Sequence, residues 1–351
     1  MKIVPAQLMI PAIALVLIFS FTACSSHKTE LKVFNAGSLM VPFAEIERAF
    51  ETEHPNVDVR IEGHGSIQVI RHVTELHEEV DVMAVADYSL LPMMMYDTTM
   101  PDTTESYANW HVKFATNRLG IAYTSLSKHA QQITDENWHE ILSRPDVAVG
   151  ISDPRFDSCG YRAFIMCQLA NLHYGDHIFE KVLGEFSPAI IVEEKDNIHT
   201  VVVPEVLRPQ KMFLRGSSVV LLATLQSGDI DYAFMYQSVA EQFELEFLEL
   251  PPEIDLSSED HSDYYGRVSC RLSFQRFATV DPEFIGQEIV YGLTVPRNAP
   301  HPGLAAEFIA FILSTEGQEI LTQAHQPVIN HPTTDQLENV PTLLKPVLQQ
   351  E

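Results

Sequence analysis

The chain has 351 residues and carries 48 acidic side chains against 22 basic ones, which gives a formal net charge of -26. A surface this acidic repels nucleic acid and anionic lipid, so neither is expected as a binding partner. Since salt screens surface charges beyond roughly 10 Å, an anionic ligand can still be held by short-range contacts inside a site.

The N-terminal segment predicts export. Residues 8–21 form an apolar stretch of about 14 residues, which is short for a membrane span and typical of a signal-peptide core. Small residues stand directly before Cys24, as in a lipobox, whose cysteine becomes the lipidated first residue of the mature protein. An uncleaved N-terminal anchor is the alternative. We predict a signal peptide over 1–23, a polar tether over 24–30, and a protein held at the outer face of the cytoplasmic membrane.

Strand and helix patterns alternate after the tether. Short apolar or alternating segments predict strands, and apolar residues recurring three and four positions apart predict helices. The predicted strands are 31–34, 57–61, 81–86, 119–124, 147–151, 230–236 and 289–295. The predicted helices are 43–50, 67–73, 161–174, 219–226, 304–313 and 316–324. This alternation indicates an α/β protein with mainly parallel sheets covered by helices, and the acidic stretch 250–263 is predicted to be a surface connection.

The length and the cysteine count limit the number of lobes and of disulfide bonds. About 325 residues remain after the leader, which is enough for two lobes with separate cores. With Cys24 assigned to lipid, Cys159, Cys167 and Cys270 remain, and an odd number cannot all pair within one chain. One disulfide is possible and none is required.

One arrangement recurs along the chain, in which a strand runs into a Gly/Ser or Asp/Ser turn that opens a helix. Such a helix start offers unpaired backbone N–H groups and a partial positive charge, glycine allows close approach, and serine adds a hydroxyl donor. Each turn by itself is an ordinary helix cap worth about 1 kcal/mol. Together they predict an anion site without Lys or Arg at the carboxyl ends of the strands. The turns are Gly37-Ser38, Gly65-Ser66, Asp157-Ser158-Cys159 and Gly216-Ser217-Ser218.

Other functions find little support in the sequence. The chain contains no nucleophile elbow, Walker A loop or dinucleotide fingerprint, and the histidines lack metal-site spacing. The run 93–95 of three methionines is better explained by core packing than by copper capture, since consecutive residues do not share one face. We therefore predict a protein that is not an enzyme and needs no cofactor, with an extracytoplasmic hydrolase as the alternative from another class. Tyr236, at the end of a predicted strand, is a candidate for a hydrogen bond to a ligand.

Several strings in the chain resemble the tungstate/molybdate-binding proteins of the WtpA type. They run in order from about residue 31 to 340 and include LKVFNAGSLMVPF, HGSIQVIRHVTEL, SDPRFDSCGYR, GDIDYAFMYQSVA and IVYGLTVPRNAP. The resemblance implies a type II periplasmic-binding-protein fold, with two α/β lobes joined by crossing strands. It places 31–115 and 245–351 in the first lobe and 116–244 in the second. It also implies a monomer whose partners are an ABC permease and its ATPase.

The resemblance implies a ligand set as well. Family members hold the metal oxyanion with serines of the first two turns, a carboxylate and backbone amides before the CGYR motif, a glutamate and a tyrosine. The matching residues here are Gly37, Ser38, Ser66, Asp157, Cys159 and Tyr236, and Ser158 stands between Asp157 and Cys159 where the family usually has proline.

The chain departs from the family pattern at the glutamate, where Ser218 stands instead. The family's expanded, roughly octahedral coordination of the metal uses two carboxylates, and only Asp157 remains here as a direct ligand of that metal. Another tetrahedral oxyanion, sulfate or phosphate, is therefore the alternative within binding proteins. Loss of Asp157 is expected to separate tungstate from sulfate, because sulfate cannot expand its coordination.

Overall fold

The computed structural model describes residues 28–175, 177–183, 186–209, 212–273 and 282–351. The predicted signal peptide, Cys24 and most of the predicted tether lie outside these ranges. Within them, no helix combines the length and the apolar character needed to cross a membrane.

The described part of the chain alternates between strands and helices. The strands are β1 (Thr29–Ala36), β2 (Val57–His64), β3 (Val82–Val85), β4 (Val112–Thr116), β5 (Leu119–Tyr123), β6 (Val149–Ser152), β7 (Phe186–Ser187), β8 (Ile191–Lys195), β9 (Ile198–Val203), β10 (Arg208–Pro209), β11 (Phe213–Arg215), β12 (Tyr232–Tyr236), β13 (Glu246–Leu248), β14 (Val268–Leu272), β15 (Glu283–Ile285), β16 (Val290–Thr294), β17 (Val328–Thr334) and β18 (Gln349–Gln350). The helices are α1 (Met40–Glu53), α2 (Ser66–Thr74), α3 (Trp138–Leu142), α4 (Ser158–Tyr174), α5 (Ile178–Leu183), α6 (Leu221–Gln226), α7 (Gln237–Gln242), α8 (Ser262–Tyr265), α9 (Pro302–Leu313) and α10 (Thr315–Gln323). Each predicted strand and helix is present, with bounds shifted by a few residues.

The first lobe is built on a sheet with the strand order β18-β17-β4-β16-β3-β1-β2. β1 runs parallel to both β2 and β3, and β3 is buried along its whole length. Because Ala36 of β1 pairs with His64 of β2, these parallel strands end in register and their following turns lie side by side. This register places the turns at Gly37-Ser38 and Gly65-Ser66 on one edge of the sheet.

The second lobe contains a sheet of order β11-β6-β12-β5-β13 and a further sheet of order β15-β14-β9-β8. Helix α4 packs against strands of both sheets, and its residues 158–170 are all buried. This burial on every side explains why the helix has apolar residues all round rather than one apolar stripe. It ends at Gly175, whose φ of 72° is left-handed, as expected for a glycine past a helix C-terminus.

The α/β fold with helix-flanked sheets is confirmed, and the main sheet of each lobe is mixed. The parallel strands, such as β6 with β11 and β12, form one part of it. The strands next to the crossings, such as β5 beside β12 and β16 beside β3, run antiparallel to their neighbours.

The chain crosses between the lobes twice. It passes from β4 to β5 through Asn117 and Arg118, and it returns to the first sheet between β15 and β16. The predicted boundary at residue 245 is therefore too early, because β13 pairs with β5 and β14 pairs with β9 in the second lobe.

The stretch 250–263 is not wholly a surface connection. Ile254, Asp255 and Leu256 are buried. The backbone N–H of Leu119 donates to the Asp255 carbonyl, and that of Ile289 donates to the Leu256 carbonyl. These bonds tie this segment to both crossings, which is why its centre is shielded from water.

Candidate functional site

The two serines of the first-lobe turns are buried at the edge of the first sheet. Ser38 lies in a single 3-10 turn (Gly37–Leu39), and Ser66 is the first residue of α2. The Ser66 hydroxyl accepts a hydrogen bond of 3.0 Å from the Ala86 N–H, and the Ser38 hydroxyl lies 2.8 Å from the Tyr291 hydroxyl. Both serine side chains are therefore positioned by hydrogen bonds to buried groups of the first lobe, the Ala86 N–H and the Tyr291 hydroxyl.

In the second lobe, the Asp157 carboxylate joins two turns. Asp157 caps α4, where its Oδ1 accepts from the Cys159 N–H at 3.3 Å, and its Oδ2 accepts from the Ser218 N–H at 2.8 Å. Burial raises the pKa of Asp157, although the N–H groups of Ser218 and Cys159 act in the opposite direction. The turn at Ser218, which begins a short 3-10 segment, is thus fixed to the start of α4 by a buried carboxylate.

The turns of the two lobes are in contact. Gly65 lies against Phe156, so that a Cβ on Gly65 would be 2.2 Å from the Phe156 carbonyl oxygen. The same carbonyl accepts a hydrogen bond of 3.2 Å from the Gln68 N–H of α2. On the neighbouring turn, Gly37 faces the side chain of Val219. The structure therefore shows the lobes closed on each other along their turns.

Closure brings hydroxyl groups of both lobes together. The Ser158 hydroxyl lies 3.4 Å from that of Ser66 and 3.3 Å from that of Tyr236, the last residue of β12. The rings of Tyr236 and Tyr291 pack edge to face with centroids 6.2 Å apart. Ser38, Ser66, Ser158 and Tyr236, predicted from distant parts of the sequence, thus belong to one buried polar cluster.

Cys159 follows Ser158 in the chain, and its backbone N–H donates to the Asp157 carboxylate. Its Sγ donates to the Phe234 carbonyl at 3.6 Å, and burial raises the pKa of its thiol far above the usual range. The thiol is therefore held in its neutral form. Cys167 and Cys270 are also buried and free, so the three cysteines within the described ranges form no disulfide.

A buried arginine and its acidic partner, which were not predicted from the sequence, lie behind Tyr236. Arg162 of α4 donates from Nη1 to the Tyr236 hydroxyl at 2.9 Å and to the Ala86 carbonyl at 2.6 Å. Its Nη2 lies 3.1 Å from Asp87 Oδ2, which also accepts from the Tyr161 hydroxyl at 2.6 Å. The expectation of a site without Lys or Arg was wrong, although Asp87 balances the charge of the guanidinium.

A sequence signal for Arg162 did exist. It stands four residues after Ser158 on the same helix, so the two side chains share one face. Two further residues, Asn117 and Tyr291, lie on or just after the segments that cross between the lobes. Throughout the ranges that the structure covers, no three His, Cys, Asp or Glu side chains are grouped so as to hold a metal ion.

The sequence family described as bacterial extracellular solute-binding protein matches residues 31–325. The chain belongs to this family. Among the relatives of this solute-binding protein is one from Methanoculleus marisnigri, an uncharacterized solute-binding protein that is 42% identical over 87% of this chain and 83% of its own length. The molybdate/tungstate-binding protein WtpA of Thermococcus kodakarensis is 35% identical over 97% of this chain and 96% of its own length. The resemblance to WtpA-type proteins is confirmed by this match and by the 35% identity to WtpA of Pyrococcus abyssi.

Solved structures agree on the fold. The periplasmic molybdate-binding protein of Azotobacter vinelandii superposes with a TM-score of 0.52 at 12% identity, covering 84% of this chain and 98% of that one. The sulfate-binding protein SubI of Mycobacterium tuberculosis gives a TM-score of 0.52 at 14% identity, covering 85% and 87%. At such identities the likeness establishes the type II periplasmic-binding-protein fold and not the ligand.

Proposed function

We propose that this solute-binding protein captures tungstate or molybdate between its lobes and delivers it to an ABC importer. The observation that carries the proposal is the meeting of Ser38 and Ser66 of one lobe with Ser158 and Tyr236 of the other in a single buried cluster. The WtpA proteins of Thermococcus kodakarensis and Pyrococcus abyssi, similar over nearly the whole chain, support the choice of anion.

The chemistry of the cluster suits a fully ionised tetrahedral anion. Such an anion offers only acceptor oxygens, whereas the hydroxyls of Ser38 and Ser66 and the N–H groups of a helix start can donate to it. The charge of Arg162 is balanced by Asp87, so recognition rests mainly on aimed dipoles rather than on net charge. Dipoles in a buried cleft act strongly at short range, which allows a protein of net charge -26 to hold an anion.

Asp157 is the proposed direct ligand of the metal atom within the oxyanion. Each of its carboxylate oxygens accepts one backbone N–H and keeps a further lone pair. Ser218, in the position of the relatives' glutamate, donates its backbone N–H to Asp157, and its side chain is the proposed replacement for the second carboxylate as a hydrogen-bond donor. Gly37 and Cys159 complete the proposed ligand set, Gly37 by allowing close approach of the backbone and Cys159 through its N–H, which holds the Asp157 carboxylate at 3.3 Å.

Capture takes place by closure. The open lobes admit the anion, the turns close around it, and the closed form docks on the membrane permease, whose ATPase drives import. A lipid on Cys24 holds the monomeric protein at the outer face of the membrane. No bond within the anion is broken, and no cofactor takes part.

Calorimetry tests the proposal. Full-length protein purified in detergent is titrated with tungstate, molybdate, sulfate and phosphate at neutral pH. We expect sub-micromolar binding of tungstate or molybdate and much weaker binding of the other two. Sub-micromolar sulfate binding without a response to tungstate would establish the alternative that Ser218 favours, a sulfate-binding protein with one carboxylate in its site.

A further inference from the structure

The hydroxyl groups of the cleft are linked to two buried groups that can only donate hydrogen bonds. These are the amide NH2 of Asn117 and the guanidinium of Arg162. A hydroxyl can donate or accept, so its direction is set by its neighbours. When a pure donor stands at the start of a chain of hydroxyls, each hydroxyl accepts from the group before it and donates to the one after it.

The first chain starts at Asn117. Its Oδ1 accepts from the Arg118 N–H at 3.0 Å, which fixes the orientation of the amide. Its Nδ2 therefore faces the Tyr291 hydroxyl at 3.1 Å and donates to it. The Tyr291 hydrogen then points to the Ser38 hydroxyl at 2.8 Å. Burial raises the pKa of Tyr291, so the phenol keeps this hydrogen. Ser38 is left with its own hydrogen for the cleft.

The second chain starts at Arg162, which donates to the Tyr236 hydroxyl at 2.9 Å. The Tyr236 hydrogen points to Ser158 at 3.3 Å, and the Ser158 hydrogen points to Ser66 at 3.4 Å. Ser66 also accepts from the Ala86 N–H at 3.0 Å. With two donors already directed at its oxygen, Ser66 likewise keeps its own hydrogen for the cleft.

We propose that Asn117 and Arg162 are positioning residues, which fix the direction of the two hydroxyl chains so that Ser38 and Ser66 both donate to the bound anion. The inference rests on the proposed function, because it takes the anion to lie against these serines. An anion oxygen that carries a proton cannot face either serine without bringing two hydrogens together. Phosphate carries at least one proton near neutral pH and must therefore turn its protonated oxygen away from both serines, whereas molybdate, tungstate and sulfate can present any oxygen to them. This restriction on orientation favours the anions without a proton.

The substitution Asn117→Asp reverses the first chain. It replaces the donating NH2 by an accepting oxygen, so the Tyr291 hydrogen turns to the new carboxylate and the Tyr291 oxygen accepts from Ser38. Ser38 then presents a lone pair to the cleft. Asn117 lines a cavity of about 330 Å³ together with Ser238 and Gln237, which leaves room for water beside the carboxylate.

The readout is the ratio of molybdate affinity to phosphate affinity, measured by calorimetry on the full-length proteins. For Asn117→Asp we expect molybdate affinity to fall by about tenfold or more, which is about 1.4 kcal/mol. Phosphate affinity should fall less or rise, so the ratio shifts by about tenfold. Asn117→Leu removes the NH2 group at the start of the first chain without adding an acceptor there. It should therefore shift the ratio of molybdate to phosphate affinity in the same direction by a smaller factor.

Tyr291→Phe separates loss of the chain from its reversal, because it keeps the ring but leaves the Ser38 hydroxyl free to donate or to accept. Its ratio should shift as in Asn117→Leu, by a smaller factor than in Asn117→Asp. An unchanged ratio in Asn117→Asp, or a shift in Tyr291→Phe as large as that in Asn117→Asp, would overturn the positioning role. A wild-type protein that binds neither molybdate nor tungstate would instead overturn the proposed function.

Discussion

The turns of the two lobes meet in one cleft, but they are built differently. On the first-lobe side, Gly37-Ser38 and Gly65-Ser66 carry no ionisable side chain. On the second-lobe side, Asp157 and Arg162 are both buried and both occupied by partners, Asp157 by two backbone N–H groups and Arg162 by Asp87, Ala86 and Tyr236. Buried charges are tolerated only when they are paired and hydrogen-bonded. The difference indicates that Arg162 and Asp87 join the two lobes and that Asp157 joins the two second-lobe turns, whereas the first-lobe turns contribute only uncharged hydroxyl and backbone groups.

The contact between Gly65 of the first lobe and Phe156 of the second is the point at which one substitution should disturb lobe closure most. In Gly65→Ala the new methyl group would meet the Phe156 carbonyl of the other lobe, and backbone cannot move aside cheaply. We expect tungstate or molybdate affinity to fall by at least about 100-fold in calorimetry. The free energy of unfolding without anion should change by less than about 1 kcal/mol, because the clash arises only on closure.

Gly216→Ala is the matched control for this substitution. Gly216 lies in a second-lobe turn, and a Cβ there would meet no atom within 4 Å in the described structure. Its affinity should stay within about twofold of wild type. Equal effects of the two substitutions would mean that the contact between Gly65 and Phe156 does not form on binding.

The charged pair across the cleft should give the next largest effect. Arg162→Met leaves the Asp87 carboxylate buried in the closed form without its ion pair. Removing one partner of such a pair costs about 2 kcal/mol or more, so anion affinity should fall by about 30-fold. The double variant Asp87→Asn with Arg162→Met should lose less than the sum of the two single variants, because the uncompensated charge is gone. If the losses of anion affinity in the two single variants add up to the loss in the double variant, the pair does not contribute to closure.

A group at the far edge of the first sheet should affect stability and leave binding alone. Asp335 follows β17, and it accepts from the His111 N–H at 3.0 Å and from the Tyr96 hydroxyl at 2.9 Å. Burial raises its pKa, but the hydrogen bonds from His111 and Tyr96 outweigh burial, and the pKa of Asp335 is lowered overall. A lowered pKa gives stability that is present above the unfolded value of about 3.9 and is lost as pH falls below it.

Asp335→Asn should therefore cost about 1 to 3 kcal/mol at pH 7 in urea unfolding. It should also reduce the loss of stability seen in the wild-type protein below about pH 4. Molybdate affinity should stay within about twofold of wild type. A large fall in affinity would show that the edge of the first sheet is coupled to the cleft.

The local part of the fold was predictable. The strands and helices around Ser38, Ser66 and Ser158 follow from apolar spacing and from glycine, serine and aspartate at turns, which act within a few residues. The lobe boundary at 245 and the burial of Asp255 were missed, because they depend on pairing between strands far apart in the chain. Periodicity shows that a strand exists but does not show which strand it pairs with.

The candidate site was predictable only in part. The serines and Tyr236 were found because their residue types fit an anion and their positions fit strand ends. Arg162 was missed because an arginine is rarely fully buried without a partner, and its partner Asp87 lies in the other lobe. Asn117 and Tyr291 were missed because they are linked to Ser38 only through hydrogen bonds between residues far apart in the sequence.

The sequence by itself determined the family, the alternation of strands and helices, and the recurring turns at Gly37-Ser38, Gly65-Ser66 and Asp157-Ser158-Cys159. These features depend on residue types and on contacts between near neighbours. Only the tertiary structure decided that Asp157 spans two turns, that Arg162 is paired with Asp87, and that Asn117 stands behind Ser38. Those contacts join residues from separate strands and separate lobes, and the packing of the closed lobes sets their geometry.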